Sequence, residues 1–378
     1  MQRRSFMQAL SAASAVGLGT TMGAWPLVSR ADTRVVRFGQ SASLTGGQAA
    51  YGQDMRNGIA AAFAAANAQN NGVRFELNCL DDGGLRANCM KNVLSLAETD
   101  AVAMIGLTSG VGAEASLPVF EDSRISLLGT ASGNLGLRAQ GVKNVFNVRV
   151  GHDAEYRRMV GYAKDFGLQR VGIVYMGDAA ASNLNALKQT LADAGITPKV
   201  AVAIDRNAAN FEAAARDLMA QRPDCVMFTT NAEPICRITE LMSAAKYPGL
   251  YYASSYSGQT LIDKLVARQQ GCVMSLVVPR PSSMGTPVVN QAQRDFALLN
   301  NGTKLGVTTL EGYIVGRIAV DASHAAINSG RMSRARFGEV LAGLRTDLGG
   351  FRVDFGGTSQ GSKFVDLMAV DRYGRLVG

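Results

Sequence analysis

Short apolar runs alternate with longer segments of helical periodicity along this chain from Arg34 onward. Residues 35–39, 73–80 and 101–107 have the length and the apolar character of buried strands. Residues 49–67 and 89–98, which lie between them, place apolar side chains on a helical period. Strands that alternate with helices in this way form a parallel sheet with helices on both faces. The pattern therefore predicts an α/β fold.

The same alternation starts again after Asn144. Residues 170–175, 199–204, 225–229 and 250–253 are the next predicted strands, and helical segments separate them. After about residue 279 the chain becomes mainly helical again. Two such series predict two α/β lobes of similar build, with crossovers near residues 145–150 and 273–279.

The N-terminus has the composition of an export signal. Arg3-Arg4-Ser5-Phe6 resembles a twin-arginine signal, a soft apolar stretch follows over residues 9–28, and Ser29-Arg30-Ala31 offers a cleavage site. A retained membrane anchor is the alternative, but the stretch is rich in glycine and contains Pro26. We expect cleavage near Ala31 and a mature protein in the periplasm, exported by the twin-arginine route or the general route.

Composition excludes several classes of function. Hydrophobic residues make up 47% and charged residues 18% of the chain, as in globular proteins. The formal charge is +8, but the basic residues are scattered, so we expect no nucleic-acid partner. The chain has two histidines, and no pair of Cys or His stands at zinc-ligand spacing. We therefore expect no metal and no cofactor.

The five cysteines raise the question of disulfides in an oxidising compartment. Cys79 and Cys89 bracket a turn that can bring two side chains together, and a bridge between them is favoured over two buried thiols. Cys225 and Cys272 lie in or beside apolar strands, where we expect core positions. The sequence assigns no role to Cys236.

Two motifs suggest enzymes but lack the partners that the chemistry needs. Gly110-Val111-Gly112-Ala113-Glu114-Ala115 has dinucleotide-binding spacing, yet no acidic residue stands at residues 128–132 to hold a ribose. Gly106 to Gly110 resembles a nucleophile elbow, for which His152 and His324 are the available bases. A capping or surface position explains His152, and packing explains His324. We therefore expect no enzymatic activity.

The cluster Asp81-Asp82-Gly83-Gly84 offers carboxylates to a cation. It lacks the ligand spacing of a calcium loop, and acidic residues beside glycines are common in turns. A turn is the favoured interpretation.

Several segments together resemble the branched-chain amino acid-type solute-binding proteins of ABC importers. They occur in the family's order and cover essentially the whole mature chain: Leu44-Thr45-Gly46 with residues 50–58, Leu80-Asp81-Asp82-Gly83, Leu117-Pro118-Val119-Phe120, residues 144–149 and Leu310-Glu311-Gly312-Tyr313. The resemblance implies a periplasmic binding protein type I fold, with two Rossmann-like lobes, three crossovers and a ligand cleft. Lobe 1 would hold residues 32–148 and about 276–348, and lobe 2 residues 149–275 and about 349–378.

The resemblance also implies a set of ligand contacts. Lobe 1 would hold a ligand carboxylate with the hydroxyls and backbone N–H groups of two loops, and an aromatic ring would pack on the apolar part of the ligand. Lobe 2 would contribute from three further positions. Carried over by position, these residues are Tyr51, Ser109, Gly110, Val111, Gly112, Thr130, Ala131, Ser132, Ala180, Asn231 and Ser255.

The sequence departs from the family where an amino acid's ammonium would bind. Family members place tyrosines near Ala180 and Asn231 and an acid near Ser255, although Glu233 and Tyr256 lie close enough to restore two of these after a register shift. An unpaired buried ammonium costs several kcal/mol. An aromatic or short organic acid is therefore favoured over an aliphatic amino acid. Arg149 is either a partner of the ligand carboxylate or a surface residue near a hinge.

The function implied is the capture of a small carboxylate-bearing solute and its delivery to an ABC permease in the inner membrane. The protein would close on its ligand as a monomer and change no covalent bond. The alternative is a ligand-sensing module that acts through a signalling partner.

Overall fold

The computed structural model describes residues 34–177, 181–205 and 210–377. The predicted signal, residues 1–31, and the predicted contact Ala180 lie outside the described residues. Within the described ranges the chain forms two α/β units, each built on its own sheet. The predicted α/β fold with two Rossmann-like lobes is confirmed.

The sheet of the first lobe has five parallel strands in the order β2-β1-β3-β4-β5. Each strand except the last leads into a helix or a turn at its carboxyl end, as a doubly wound sheet requires. The elements are β1 (Arg34–Ala42), α1 (Ala49–Ala68), β2 (Val73–Asp81), α2 (Arg86–Ala97), β3 (Ala103–Ile105), α3 (Gly110–Ala115), α4 (Leu117–Asp122), β4 (Ser126–Leu128) and β5 (Val145–Phe146).

The second lobe repeats this build on a larger sheet. Five parallel strands lie in the order β10-β9-β8-β6-β7. The elements are α5 (His152–Asp165), β6 (Val171–Met176), α6 (Ala181–Asp193), β7 (Val200–Ile204), α7 (Phe211–Ala220), β8 (Cys225–Phe228), α8 (Ala232–Ala244), β9 (Leu250–Ala253), α9 (Gly258–Arg268) and β10 (Cys272–Leu276).

The last hundred residues return to lobe 1 and then to lobe 2. Helices of this segment pack on α1 and β4, and its last two strands extend the second sheet in antiparallel fashion from β10. The elements are α10 (Pro287–Phe296), α11 (Val307–Asn328), α12 (Arg334–Gly343), β11 (Arg345–Asp347), β12 (Arg352–Asp354), β13 (Asp366–Val370) and β14 (Leu376–Val377).

The third crossover lies further along the chain than the sequence suggested. Phe355 packs edge-on against Phe146 at 5.4 Å, and Gln360 forms a bridge with Asn147, so residues 355–360 still contact the first lobe. The chain joins the second sheet at Asp366. This return lies 17 residues after residue 349.

Helices α1 and α11 approach each other closely because each carries a glycine at the contact. A side chain at Gly58 would overlap the backbone of Thr309 and Tyr313, and one at Gly312 would overlap the carbonyl of Met55. Because each glycine presents only a hydrogen atom at the contact, the backbones of the two helices touch directly. This contact fixes the long helix α11 on the first lobe.

Aromatic side chains fill the core between the first sheet and its helices. Phe38 on β1 lies 5.3 Å from Phe63 of α1 and 5.6 Å from Phe337 of α12, measured between ring centroids. All three are buried, and Phe38 is fully so.

No helix within the described ranges is long and apolar enough to cross a membrane.

The predicted bridge between Cys79 and Cys89 is absent, and both residues are free thiols. Cys79 pairs with Gln40 in the parallel ladder, so both side chains point to the face that α1 covers. Cys89 lies in α2 and contacts Gly112 on the opposite face. The turn reverses the chain as expected, but the sheet separates the two sulfurs. Cys225 and Cys272 are buried as predicted, and Cys236 is buried too.

Candidate functional site

A cavity of about 500 Å³ lies between the two lobes. Its walls are formed by residues that follow the carboxyl ends of β1 to β4 in the first lobe and of β6, β8 and β9 in the second, together with helices α5 and α6. Ligands of doubly wound folds bind at this edge of the sheet. The volume is in the range of small-molecule sites.

The first lobe contributes one wall of the cavity, the first wall, and the second lobe contributes the other, the second wall. Hydroxyl groups from two loops lie side by side on the first wall. Ser109 and Ser132 both line the cavity, and Gly110 between them lies so close to Ser132 that any added side chain would overlap its Oγ. Ser109 also caps α3, because its Oγ accepts a hydrogen bond from the Gly112 N–H at 3.1 Å. The glycine therefore serves the close approach of the two loops.

The same wall carries unpaired donors. The backbone N–H groups of Gly110 and Val111 donate to no acceptor among the described residues. Arg86, at the start of α2, also lines the cavity, and its side chain forms no ion pair within the described ranges. Hydroxyls, free amides and a guanidinium are the groups that hold a carboxylate. The predicted contacts Ser109, Gly110, Val111 and Ser132 are thus brought together at the cavity.

Three predicted lobe 1 contacts lie behind the wall. Gly112 packs against Cys89, Ala131 is buried and its carbonyl accepts a hydrogen bond from Tyr51, and Thr130 is buried with no partner for its Oγ1 among the described residues. None of the three lines the cavity. Both loops reach the cavity, but Gly112 lies behind the first of them and Ser132 is the one predicted residue of the second that lines it.

Tyr51 does not line the cavity either. Its hydroxyl donates to the Ala131 carbonyl at 2.7 Å, and its ring lies 5.6 Å from that of Tyr256. Tyr256 lines the cavity instead and donates to Gln48 Oε1 at 3.1 Å. The tyrosine side chains at the cavity, Tyr156 and Tyr256, thus come from the second lobe.

Glu114 is a cavity residue that the sequence interpretation missed. It stands one helical turn after Gly110, accepts a hydrogen bond from Asn134 Nδ2 at 2.9 Å, and forms no ion pair with a described residue. The spacing of four residues from Gly110 would have placed it on the same helix face. The cavity therefore contains a carboxylate, although it comes from lobe 1.

The second wall is polar and, among its described residues, carries no acidic side chain. Thr229, Asn231, Ser254 and Asn183 line it. The side-chain oxygens of Asn183 and Asn231 are buried without a partner in the described part of the chain. Asn231 is thus placed at the cavity as predicted. Glu233 points away from it and pairs with Lys264 at 2.5 Å on the surface.

His152 is part of this wall, and its predicted surface or capping position is wrong. The residue begins α5, yet it is 4% exposed, because its backbone N–H bonds to the Gly133 carbonyl at 2.9 Å and the ring packs on that loop. Its ring is stacked near Tyr156 at 5.9 Å. Burial lowers the pKa of His152 below the ordinary histidine value, with Glu155 acting in the opposite direction.

Arg149 and Ser255 lie beneath the cavity in a buried ionic cluster. Arg149 is 1% exposed, and it pairs with Glu155 at 2.6 Å and with Glu311 at 3.4 Å. It also donates to Ser255 Oγ, whose backbone N–H bonds to Glu155. Internal carboxylates therefore occupy the guanidinium. The structure places Arg149 away from the surface, and neither Arg149 nor Ser255 lines the cavity.

The two carboxylates of this cluster are shifted in opposite directions. Burial alone would raise the pKa of Glu155, but the charge of Arg149 and several hydrogen bonds hold it well below its ordinary value. Burial raises the pKa of Glu311, and Arg149 only partly offsets this. Glu155 is thus the firmly ionised partner of the guanidinium.

Asp81 and Asp82 form the turn that the sequence predicted. Asp81 accepts hydrogen bonds from the backbone N–H groups of Leu44, Thr45 and Gly83. Asp82 accepts them from the hydroxyl groups of Ser41 and Ser43. Within the described ranges no group of three or more Cys, His, Asp or Glu side chains could hold a metal.

Sequence comparison identifies one family. The family model described as "Periplasmic binding protein" matches residues 35–372. A search of curated protein sequences finds no significant match.

Solved structures share the fold across nearly the whole chain. A possible leucine/isoleucine/valine-binding protein from Rhodopirellula baltica is 24% identical, with a TM-score of 0.84 over 93% of this chain and 98% of that one. A substrate-binding periplasmic protein from Ralstonia solanacearum is 23% identical, with a TM-score of 0.82 over 90% and 99%. An ABC transporter solute-binding protein from R. palustris, in complex with benzoate, is 15% identical, with a TM-score of 0.78 over 91% and 95%.

Proposed function

The chain belongs to the periplasmic binding protein family, and on that premise we propose that it captures a small carboxylate-bearing solute between its lobes. The observation that carries the proposal is the first wall of the cavity. There the Ser109 and Ser132 hydroxyls lie beside the unpaired N–H groups of Gly110 and Val111. These are all donors, and a carboxylate is the acceptor that satisfies several of them at once.

The proposed solute is an aromatic or short organic acid in preference to an aliphatic amino acid. The second wall contributes hydroxyl groups, side-chain amides and the Tyr256 ring to the cavity. Its described residues include no anion that could pair with the ammonium group of an amino acid. The relative from R. palustris was solved with benzoate. That relative supports an aromatic acid as one of the first ligands to test here.

A zwitterionic amino acid is the second candidate, and Glu114 is the observation that favours it. Its carboxylate borders the cavity without an ion pair, and Arg86 supplies the opposite charge on the same wall. An ammonium that reached Glu114 would be neutralised in the cleft. The two candidates differ in whether affinity requires the positive charge of the ligand.

The protein is proposed to work in the periplasm, as a monomer that hands its solute to an ABC permease. Related structures include substrate-binding proteins of ABC transporters, which supports this assignment. Closure of the lobes would bury the ligand, and no covalent chemistry is required of any residue. A sensing module that acts through a signalling partner is the alternative, and co-purification with a permease rather than with a signalling protein distinguishes them.

A thermal-shift screen of residues 32–378 tests the proposal. The panel contains aromatic acids, short hydroxy acids, dicarboxylates, aliphatic amino acids and urea. A ligand at 100 times its Kd adds about 2.7 kcal/mol to the free energy of unfolding, which raises the Tm by several degrees in a chain of this size. We expect saturable stabilisation by at least one acid. Stabilisation by leucine and not by organic acids would favour the amino acid as the ligand. No stabilisation by any acid would contradict the proposal that the ligand carries a carboxylate.

A further inference from the structure

His152 presents one ring nitrogen to a buried carboxylate and leaves the other for the cavity. Nδ1 lies 3.1 Å from Glu155 Oε1. Nε2 makes no hydrogen bond with any described residue, although the side chain is 5% exposed and lines the cavity. A ring nitrogen without a partner on the wall of a cavity is a group that a ligand can satisfy.

The surroundings of the ring determine which nitrogen carries the proton. Glu155 is ionised, because it pairs with Arg149 at 2.6 Å and accepts hydrogen bonds from the Ser255 N–H at 2.9 Å and the Ser275 hydroxyl at 2.5 Å. An ionised carboxylate only accepts, so Nδ1 must donate to it. The neutral ring then has a lone pair at Nε2.

A second proton on the ring is disfavoured chiefly by burial. Burial lowers the pKa of His152, the Glu155 carboxylate acts in the opposite direction, and the guanidinium groups of Arg149 and Arg138 add to the lowering. Arg138 is fixed there by hydrogen bonds to the carbonyls of Asn134 and Arg149 at 2.8 and 3.0 Å. At neutral pH the ring therefore offers an acceptor to the cavity and no donor.

We propose that His152 selects, among the carboxylates that this site binds, those that carry a neutral hydrogen-bond donor such as a hydroxyl or an amide N–H. The inference rests on the proposed function. The donors of the first wall hold the carboxylate, and the Nε2 lone pair, which would repel a carboxylate oxygen, receives the ligand's own donor. The two walls thus orient the ligand with its carboxylate toward Ser109 and Ser132.

Matched acids test this selection in the unmodified protein. Calorimetric titration compares 3- and 4-hydroxybenzoate with benzoate, and 2-hydroxybutanoate with butanoate. In at least one pair we expect the hydroxylated acid to bind about tenfold more tightly, the effect of one hydrogen bond to an acceptor that has no partner within the described residues. Equal affinities in both pairs, with binding retained, would overturn the role of His152 and leave the proposed function intact. No binding by any acid would overturn both.

Two substitutions separate Nε2 from the bond to Glu155. In His152→Asn the amide nitrogen can take the place of Nδ1 and donate to Glu155, but nothing replaces Nε2. In His152→Gln the amide oxygen can take the place of Nε2. We expect the preference for the hydroxylated acid to fall to about onefold in the first variant and to persist in part in the second.

The second histidine of the chain supplies the control. His324 lies on α11 and packs edge-on against Phe75 at 5.5 Å, and it does not line the cavity. His324→Asn should keep both the affinity and the preference. Circular dichroism and Tm identify a misfolded variant. A folded His152→Asn variant that keeps the full preference would overturn the inference.

Discussion

Arg149 and Glu155 form a salt bridge of 2.6 Å in which both side chains are at most 1% exposed. Arg149 lies in the first crossover, between β5 and α5. Glu155 lies on α5 of the second lobe, and Glu311 on α11 of the first lobe approaches the same guanidinium at 3.4 Å. The cluster thus joins the lobes directly beneath the cavity, and Glu155 at its centre also holds His152. Ligand site and hinge share one set of charges.

Arg149→Met is expected to destabilise the protein strongly. The substitution leaves Glu155 buried without its cation, and breaking a buried pair in this way costs about 3–5 kcal/mol. Chemical denaturation measures the change. Arg170→Met is the matched control, because Arg170 pairs with Asp224 at the surface and its loss should cost at most about 1 kcal/mol. Equal losses in the two variants would contradict the assignment of the buried cluster.

The pH dependence of the free energy of unfolding should reveal the ionised state of Glu155. Its pKa is depressed in the fold, so the stability that it contributes is present above the ordinary glutamate value of 4.5 and is lost as the pH falls. Glu155→Gln should therefore be less stable than the wild type at pH 7, and the difference should shrink toward acid pH. Urea denaturation at several pH values measures this. A difference independent of pH would be inconsistent with an ionised Glu155.

Glu311→Gln should show the opposite trend. Burial raises the pKa of Glu311, so ionisation destabilises the fold as the pH rises above 4.5. The variant should gain stability relative to the wild type between acid and neutral pH, in the same urea series. A relative loss over that range would show that Arg149 stabilises Glu311 as firmly as it does Glu155.

Asp54→Asn is expected to stabilise the protein at neutral pH. Burial, with repulsion from Asp263 of the other lobe, raises the pKa of Asp54 from 3.8 to about 6. Ionisation of Asp54 therefore lowers the free energy of unfolding, whereas the protonated form does not. The variant should match the wild type below about pH 4 and exceed it by up to about 3 kcal/mol above pH 7. An unchanged difference across this range would contradict the shift.

Glu114→Gln distinguishes the two ligand classes. An organic acid has no ammonium group to pair with Glu114. Its affinity for the variant should therefore stay within a fewfold of that for the wild type, or improve because a repelling charge is removed. An amino acid whose ammonium pairs with Glu114 should lose tenfold or more. Calorimetric titration of both classes measures the change. Loss of affinity for an organic acid would contradict the proposed carboxylate orientation.

The fold was predictable from the sequence because strand and helix periodicity and the family's segments are local signals. The site was predictable only in part. Ser109, Gly110, Val111, Ser132 and Asn231 reach the cavity as expected, since each lies just after a strand.

The remaining site residues depend on partners far along the chain. Arg149 has one partner six residues away and another 162 residues away, and only the folded chain shows that they occupy it. His152 resembles an ordinary helix start until Glu155 and the Gly133 loop are seen around it. Cys79 and Cys89 are close in sequence, but the sheet lies between them.

The central claim is that the hydroxyls of the first wall hold a ligand carboxylate in the cleft. Calorimetric titration of Ser109→Ala/Ser132→Ala with the best acid from the screen tests it most directly, with Ser323→Ala as control, because Ser323 is buried on α11 and bonds to the Ala319 carbonyl. We predict that the double variant binds at least about tenfold more weakly while the control is unchanged. Unchanged affinity in a folded double variant would contradict the claim.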